Sequence, residues 1–485
     1  MILLLLLVVN ALFDVVTCIS QHPVLIVVSY DAFRYNYFEK NGSLYMDKLR
    51  KEGTYADYML NVFPTKTFPN HHSIATGLYP ESHGVVGNSF YDPKLKRVIK
   101  MSEEMWRFRD DIIPIWTLNE IRGAGRYSGS MMWPGAKYLY NNKNITYIQD
   151  WDIDADWYKR VDTIISWIKN PTKPANLVML YFEEPDTHGH VYGPESDTVF
   201  NLLKRLDNIT RYIDDQLLAN DLADYVNVIH LSDHGMSSVS PPNFINITQF
   251  LKSNTYEIAD TSPCLHIIPD SDFEQETYKN LRQASREHGN FSVYWKKDLP
   301  SKWHFKNNRR APPIFVLADP GYAFQDLAEA AQTYALKYHI NITPESQFGV
   351  HGYDNEDTDM HPFFMARGPK IKKQHKVSPF HTVDLYNLFC DILEIKPVAN
   401  NGSSANIKAI LVSQAERNHF TTLGIAVVAV IVSLMLVSCG AAITLLVIKR
   451  QQNITTIAAL NKRFPQTFNT NAGIEAQHLL ESEEA

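Results

Sequence analysis

With 485 residues, 45% of them hydrophobic and 20% charged, the chain has enough apolar material for a sizeable core, which excludes a disordered scaffold. Its 46 Lys and Arg against 53 Asp and Glu leave a net charge of −7, so no polybasic field exists to hold a nucleic-acid polymer, and an anionic substrate must be recognised by a local site. Four cysteines are too few for a disulfide framework, which leaves packing to hold the fold.

Residues 1–20 open with Leu3 to Leu7, carry Asp14 as their one charge and reach small residues at Cys18 and Ser20, the pattern of a secretory signal peptide without its basic start. Val24 to Ser29 (VLIVVS), Leu177 to Phe182 (LVMLYF) and Val226 to Leu231 (VNVIHL) are near-continuous apolar runs, which suit strands buried on both faces of a parallel sheet in an α/β domain. Each run ends in acids: Asp31 after the first, Glu183, Glu184 and Asp186 after the second, Asp233 with His234 after the third. Ligands of open α/β sheets sit beyond the carboxyl ends of the strands, so these clusters are expected to meet. Between the first two runs, Asn70 to Gly77 reads as a helical stretch stopped by Gly77, which puts Thr67 near a helix N-terminus. Between the last two, Val199, Leu202, Leu203, Leu206, Ile209 and Ile213 form a helical apolar stripe that leaves Asn208 on the solvated face.

Residues 21–400 are thus expected to form a catalytic ectodomain, followed by a polar stalk at 401–420. From Thr421 to Ile448 no charge occurs, long enough to cross about 30 Å of hydrocarbon. Lys449 and Arg450 follow at once and assign residues 449–485 to the cytosol, the topology of a single-pass type I protein of the plasma membrane. Asn41, Asn144, Asn208, Asn246, Asn290, Asn341 and Asn401 each begin an Asn-x-Ser/Thr triplet on the exported side. In the tail, Glu475 to Leu480 fits an acidic dileucine sorting signal. Cys264 and Cys390, the cysteines left in the mature ectodomain, either pair, or one bridges chains.

Any one acid at a strand end could simply cap the following helix. Against that, Asp186 and His190 share the short motif DTHGH, Asp233 and His234 are adjacent, and His351 stands in the turn-rich HGYDN. With Asp31 they supply six O and N ligands, enough for two zinc-like ions with about three each and open positions for substrate. Two ions about 4 Å apart would clamp a phosphoryl group in an in-line displacement. Thr67 is either a helix cap or, with helix dipole and metal acting together, an activated nucleophile.

Thr65 to Pro93 (TKTFPNHHSIATGLYPESHGVVGNSFYDP), Glu183 to Pro194 (EEPDTHGHVYGP), Leu231 to Met236 (LSDHGM) and His351 to Asn355 (HGYDN) resemble the ectonucleotide pyrophosphatase/phosphodiesterase family of the alkaline phosphatase superfamily. Ser29 to Arg34 (SYDAFR), Met132 to Gly135 (MWPG) and Asp384 to Leu393 (DLYNLFCDIL) extend the match through essentially the whole ectodomain. The short single-pass layout is similar to the subgroup containing members 4 and 5. The resemblance implies an alkaline-phosphatase-like, mostly parallel sheet flanked by helices, plus one C-terminal transmembrane helix. It implies two Zn2+, one bound by Asp31, Asp233 and His234 with Thr67 beside it, the other by Asp186, His190 and His351. Thr67 would become phosphorylated, Asn88 would hold the developing oxyanion, and Phe68 with Trp151 would sandwich a nucleobase, where relatives usually carry Tyr in place of Trp151. Tyr30 and Ala32 replace the usual Phe and Gly, and Ala32 would be crowded if its position needs a glycine-only backbone.

The lysophospholipase relative lacks part of the loop that Ala136 to Ile153 retains here, which favours an extracellular nucleotide as substrate over choline or lysophospholipid diesters. Thr67-Phe68-Pro69-Asn70 supplies neither part of a sulfatase C/S-x-P-x-R motif. A catalytically dead surface glycoprotein is the alternative from another class; the ligands and the nucleophile are all present. Oligomeric state and bound calcium leave no signature in the sequence.

Overall fold

The computed structural model describes residues 19–40 and 42–463. The expected signal peptide up to residue 18, the sequon at Asn41 and the dileucine segment of the tail lie outside the described residues. Contacts divide the chain into two units, one ending at Val412 and one beginning at Ser413.

The first unit is built on an eight-stranded sheet. Its strands are β1 (Val24–Tyr30), β2 (Thr54–Ala56), β3 (Ser128–Met131), β4 (Tyr147–Gln149), β5 (Leu177–Phe182), β6 (Val226–Leu231), β7 (Phe364–Arg367) and β8 (His375–Val377). They lie in the order β8-β2-β7-β6-β1-β5-β3-β4. The three apolar runs are the central strands: β1 pairs in parallel with both β5 and β6, and every residue of the three is buried. Burial on both faces is what their unbroken Val, Ile and Leu content demands. Only β7 runs against the others. The helix Asp197–Ala219 turns the expected stripe inward, burying Val199, Leu202, Leu203, Leu206, Ile209 and Ile213, and leaves Asn208 exposed. Its N-terminus is capped by Ser196, whose hydroxyl accepts from the Val199 N–H.

A second sheet interrupts this pattern. Four antiparallel strands, Tyr256–Ala259, Cys264–Pro269, Ile314–Ala318 and Phe291–Trp295, close a separate hydrophobic cluster with the helices Glu274–His288 and Gln325–Tyr338. Cys264 and Cys390 are both buried and unbridged; the Cys264 thiol donates to the carbonyl of Gly352 at 2.8 Å. The two cysteines do not pair with each other, and both thiols are buried in the hydrophobic core.

Residues 401–412, assigned by composition to a stalk, pack onto this unit: Ile407 and Ile410 are buried, and the Val412 N–H donates to the Lys370 carbonyl. In the second unit, the helix Gln414–Arg463 contains Ala429–Ala459, long and apolar enough to cross a membrane. The sequon residues Asn144, Asn208, Asn246, Asn290, Asn341 and Asn401 are all exposed.

Candidate active site

The carboxyl ends of β1, β5 and β6 do meet. The Asp186 N–H donates to the Asp31 carbonyl at 3.2 Å, and the Ala32 N–H donates to the side-chain Oδ1 of Asp233 at 3.2 Å, so one backbone bond and one backbone-to-side-chain bond link the three strand ends. Ala32 adopts φ 57, the left-handed conformation that its sequence position made a concern. Asp186 and His190 lie one turn apart on a short helix, Asp186–Tyr192, so both side chains project from one face. His351 arrives from the turn after the strand Phe348–Val350.

Two tight groupings of ligand atoms result: Asp31, Asp233 and His234, and Asp186, His234 and His351, each with its atoms within 4.8 Å of one another. His190 adjoins the second, its Nε2 3.4 Å from Oδ1 of Asp186. His234 belongs to both, and its ring stacks on that of His351 at 3.7 Å.

The imidazoles are oriented from behind. Nδ1 of His190 donates to the Gly349 carbonyl, Nδ1 of His234 to that of Gly235, and Nδ1 of His351 to that of Thr65, at 2.8, 2.8 and 2.9 Å. A carbonyl cannot donate, so each Nδ1 carries a proton and Nε2 is the ring nitrogen turned toward the cluster. Facing these nitrogens are Oδ1 of Asp31, Oδ1 of Asp186 and Oδ2 of Asp233, buried oxygens that accept no hydrogen bond. Three carboxylates crowded together with unpartnered oxygens call for positive charge between them. The same crowding shows in titration: burial and the charges of Asp233 and Asp186 push the Asp31 carboxyl well above the usual range. For Asp233, burial is outweighed by the imidazoles of His234 and His71, which hold it well below that range. The donor set, three carboxylates and three imidazoles, fits borderline divalent ions such as zinc.

Thr67 opens the helix Thr67–Thr76, three residues earlier than expected, and Gly77 ends that helix in the left-handed region at φ 69. The Thr67 hydroxyl therefore lies at the helix N-terminus, 3.3 Å from Nε2 of His234. Phe68 follows, and its N–H donates to Oδ1 of Asn88 at 3.0 Å. Thr67, Phe68, Asn88, Asp31, Asp186 and Trp151 all line one cavity of about 460 Å³. Its outer wall comes from the retained loop, through Lys137, Tyr138 and Ile148 to Trp151. Trp151 is 48% exposed, and its ring centroid stands 6.0 Å from that of Tyr181.

Two residues at the site escaped the sequence reading. Tyr181 lies on β5, and its hydroxyl donates to Oδ2 of Asp31. His71 lies one helical turn after Thr67; its Nδ1 is 2.9 Å from the Thr67 carbonyl and 3.3 Å from Oδ2 of Asp233. The four-residue spacing from Thr67 was the available signal for His71; Tyr181 gave none, being one apolar-run residue among others.

The profile described as type I phosphodiesterase / nucleotide pyrophosphatase matches residues 25–354. The chain is 35% identical over 414 residues to bis(5'-adenosyl)-triphosphatase of Xenopus laevis, spanning 85% of this chain and 87% of that protein. It is 34% identical over 403 residues to human ectonucleotide pyrophosphatase/phosphodiesterase family member 5, spanning 82% and 80% respectively. Among solved structures, an inactive variant of the murine family member 5 in complex with AMP superposes with a TM-score of 0.73 at 33% identity, covering 81% of this chain and all of that one. Fold, strand-end cluster and sequence thus agree, and the chain belongs to the ectonucleotide pyrophosphatase/phosphodiesterase family of hydrolases.

Proposed function

We propose that this hydrolase is a zinc-dependent enzyme of the cell surface, cleaving extracellular nucleotide phosphodiester or phosphoanhydride bonds through a phosphothreonine at Thr67. Three buried carboxylate oxygens without a donor, beside a hydroxyl at a helix N-terminus, carry this reading. Asp31, Asp233 and His234 would hold one ion and Asp186, His190 and His351 the other. Bound zinc supplies Lewis-acid charge, which favours the Thr67 alkoxide and neutralises phosphoryl oxygens.

The chain's own groups do the rest. The helix N-terminus adds its partial positive charge at the Thr67 hydroxyl. Oγ1 of Thr67 bonds to phosphorus as the bond to one ester or anhydride oxygen breaks and that group leaves, so the phosphorylated threonine still carries the other substituent. Water later cleaves the bond between phosphorus and Oγ1, releasing that nucleotide and restoring the hydroxyl. Oδ1 of Asn88 is held by the Phe68 N–H, so its amide nitrogen is the donor left for a developing oxyanion. Phe68 and Trp151, on the wall of one cavity, suit a stacked base. The loop residues that form that wall support a nucleotide over a lysophospholipid, whose acyl chain needs an open pocket. The apolar helix would anchor the enzyme as a type I protein, with Asn144, Asn208, Asn246, Asn290, Asn341 and Asn401 glycosylated on the outer side.

The full chain, expressed on intact cells, tests the proposal with dinucleoside polyphosphates, nucleoside triphosphates, NAD and choline phosphodiesters, with and without a chelator. Nucleotide hydrolysis lost on chelation and regained with zinc is expected, with the nucleotidyl group trapped through its phosphorus on Thr67 by acid quenching. Hydrolysis indifferent to chelation, or a lysophospholipid cleaved faster than any nucleotide, would sink it.

A further inference from the structure

Lys66, immediately before Thr67, is 1% exposed. Its ammonium meets the second sheet, 2.9 Å from Oδ1 of Asp260, and donates to the carbonyl of Thr261 at 2.7 Å and its hydroxyl at 3.2 Å. Asp260 sits between the strands Tyr256–Ala259 and Cys264–Pro269, in the left-handed region at φ 63.

The same aspartate touches the loop that carries Asn88. Its N–H donates to the Ser89 hydroxyl at 3.0 Å. Its Oδ2 packs on the backbone of Gly87 so closely that a Cβ there would lie 2.3 Å from that oxygen. One residue thus contacts both the residue before Thr67 and the residues flanking Asn88, its carboxylate meeting Lys66 and Gly87 and its backbone N–H meeting Ser89, from a sheet that supplies none of the proposed metal ligands.

We infer that Asp260 is a positioning residue, which fixes the separation between the Thr67 hydroxyl and the Asn88 amide by clamping Lys66 on one side and Gly87-Asn88-Ser89 on the other. The inference rests on the proposed roles of Thr67 and Asn88. A buried ion pair is on average no more stabilising than apolar residues of the same volume, so stability alone gives little reason for a charge pair here. Placement does: the attacking oxygen and the oxyanion donor come from separate loops, and a displacement of about 1 Å between reacting groups costs about a hundredfold in rate. Because the clamp acts on groups that matter most in the transition state, its loss belongs in kcat and not in KM.

The test uses the full chain with bis-(p-nitrophenyl) phosphate, measuring kcat, KM and the thermal midpoint. Asp260→Asn keeps the shape, an acceptor and a side chain that tolerates the left-handed backbone, and is expected to lower kcat about tenfold with KM within about twofold. Gly87→Ala, which pushes the carboxylate away from the Asn88 side, is expected to show the same kcat-selective loss. Lys66→Met combined with Asp260→Asn removes both charges while keeping a side chain that tolerates the left-handed backbone, and should come within a few degrees of the wild-type midpoint without regaining kcat. Recovery of kcat together with the midpoint in that double variant, or wild-type kcat in both single variants, would reduce the pair to a packing element. Thr67→Ala runs alongside: if it retains wild-type turnover, the nucleophile assignment fails, whereas a dead Thr67→Ala beside a fully active Asp260→Asn overturns the clamp alone.

Discussion

Oγ1 of Thr67 stands 3.3 Å from Nε2 of His234, the one imidazole common to both groupings of atoms that could hold a metal ion. The proposed nucleophile thus adjoins the electrostatic centre of the site. Thr67→Ala should abolish turnover of nucleotide diesters while leaving the thermal midpoint within a few degrees, and Thr67→Ser should retain partial activity because only a methyl group is lost. Wild-type rates in Thr67→Ala would show that water attacks phosphorus directly.

His351 brings one of the nitrogens turned toward the cluster, held from behind by the Thr65 carbonyl. Removing one protein ligand weakens its own site first, so His351→Ala should lower bound zinc by about one ion per chain by metal analysis. Full occupancy with full activity would refute the ligand assignment.

Trp151 is half exposed, with its nearest aromatic neighbour 6.0 Å away, so it contributes little to the core. Trp151→Ala should leave the thermal midpoint unchanged and raise KM for nucleotide diesters, through a loss of about 1–3 kcal/mol of stacking. Hydrolysis of bis-(p-nitrophenyl) phosphate, which has no base, should hardly change. Equal losses on both substrates would remove the base clamp.

Ala32 occupies a backbone region that costs an L-residue about 1–2 kcal/mol, while Gly costs about 0.5–1 kcal/mol in unfolded-chain entropy. Ala32→Gly should therefore stabilise by about 0.5–1 kcal/mol in denaturant unfolding, opposite in sign to an ordinary Ala→Gly change. A loss of stability would mean that the methyl group packs better than the backbone suffers.

Asp92 accepts from Arg309 at 3.0 Å and Arg310 at 2.8 Å. Burial raises its carboxyl, but these guanidinium groups prevail and hold it at about 2, below the ordinary 3.8. A depressed folded-state value stabilises above the unfolded value and ceases to as pH falls through the interval from 3.8 toward 2. Asp92→Asn should cost about 1–2 kcal/mol near neutrality, allowing for screening, and flatten the acid limb of stability across that interval. An unchanged acid limb would contradict the shift.

The central sheet was legible because β1, β5 and β6 advertise burial on both faces, and the site was legible because its acids and histidines stand at their ends. The antiparallel second sheet was not: strands such as Phe291–Trp295 are short and half-buried, and their pairing with Ile314–Ala318 depends on contacts that local pattern does not encode. Tyr181 and Asp260 were hidden for the same reason, since each acts on a partner distant in sequence. The helix start at Thr67 was set late because Pro69, compatible with a first helical turn, reads as a break when met in sequence.

The sealed thiols of Cys264 and Cys390 have a bearing on how metal dependence is measured. Among the described residues no bridge joins them, so a phosphine reductant has no covalent link there to cut, whereas a chelator would act on the histidine-carboxylate cluster. Inactivation by chelator in a preparation indifferent to reductant would therefore report on bound metal and not on oxidation state.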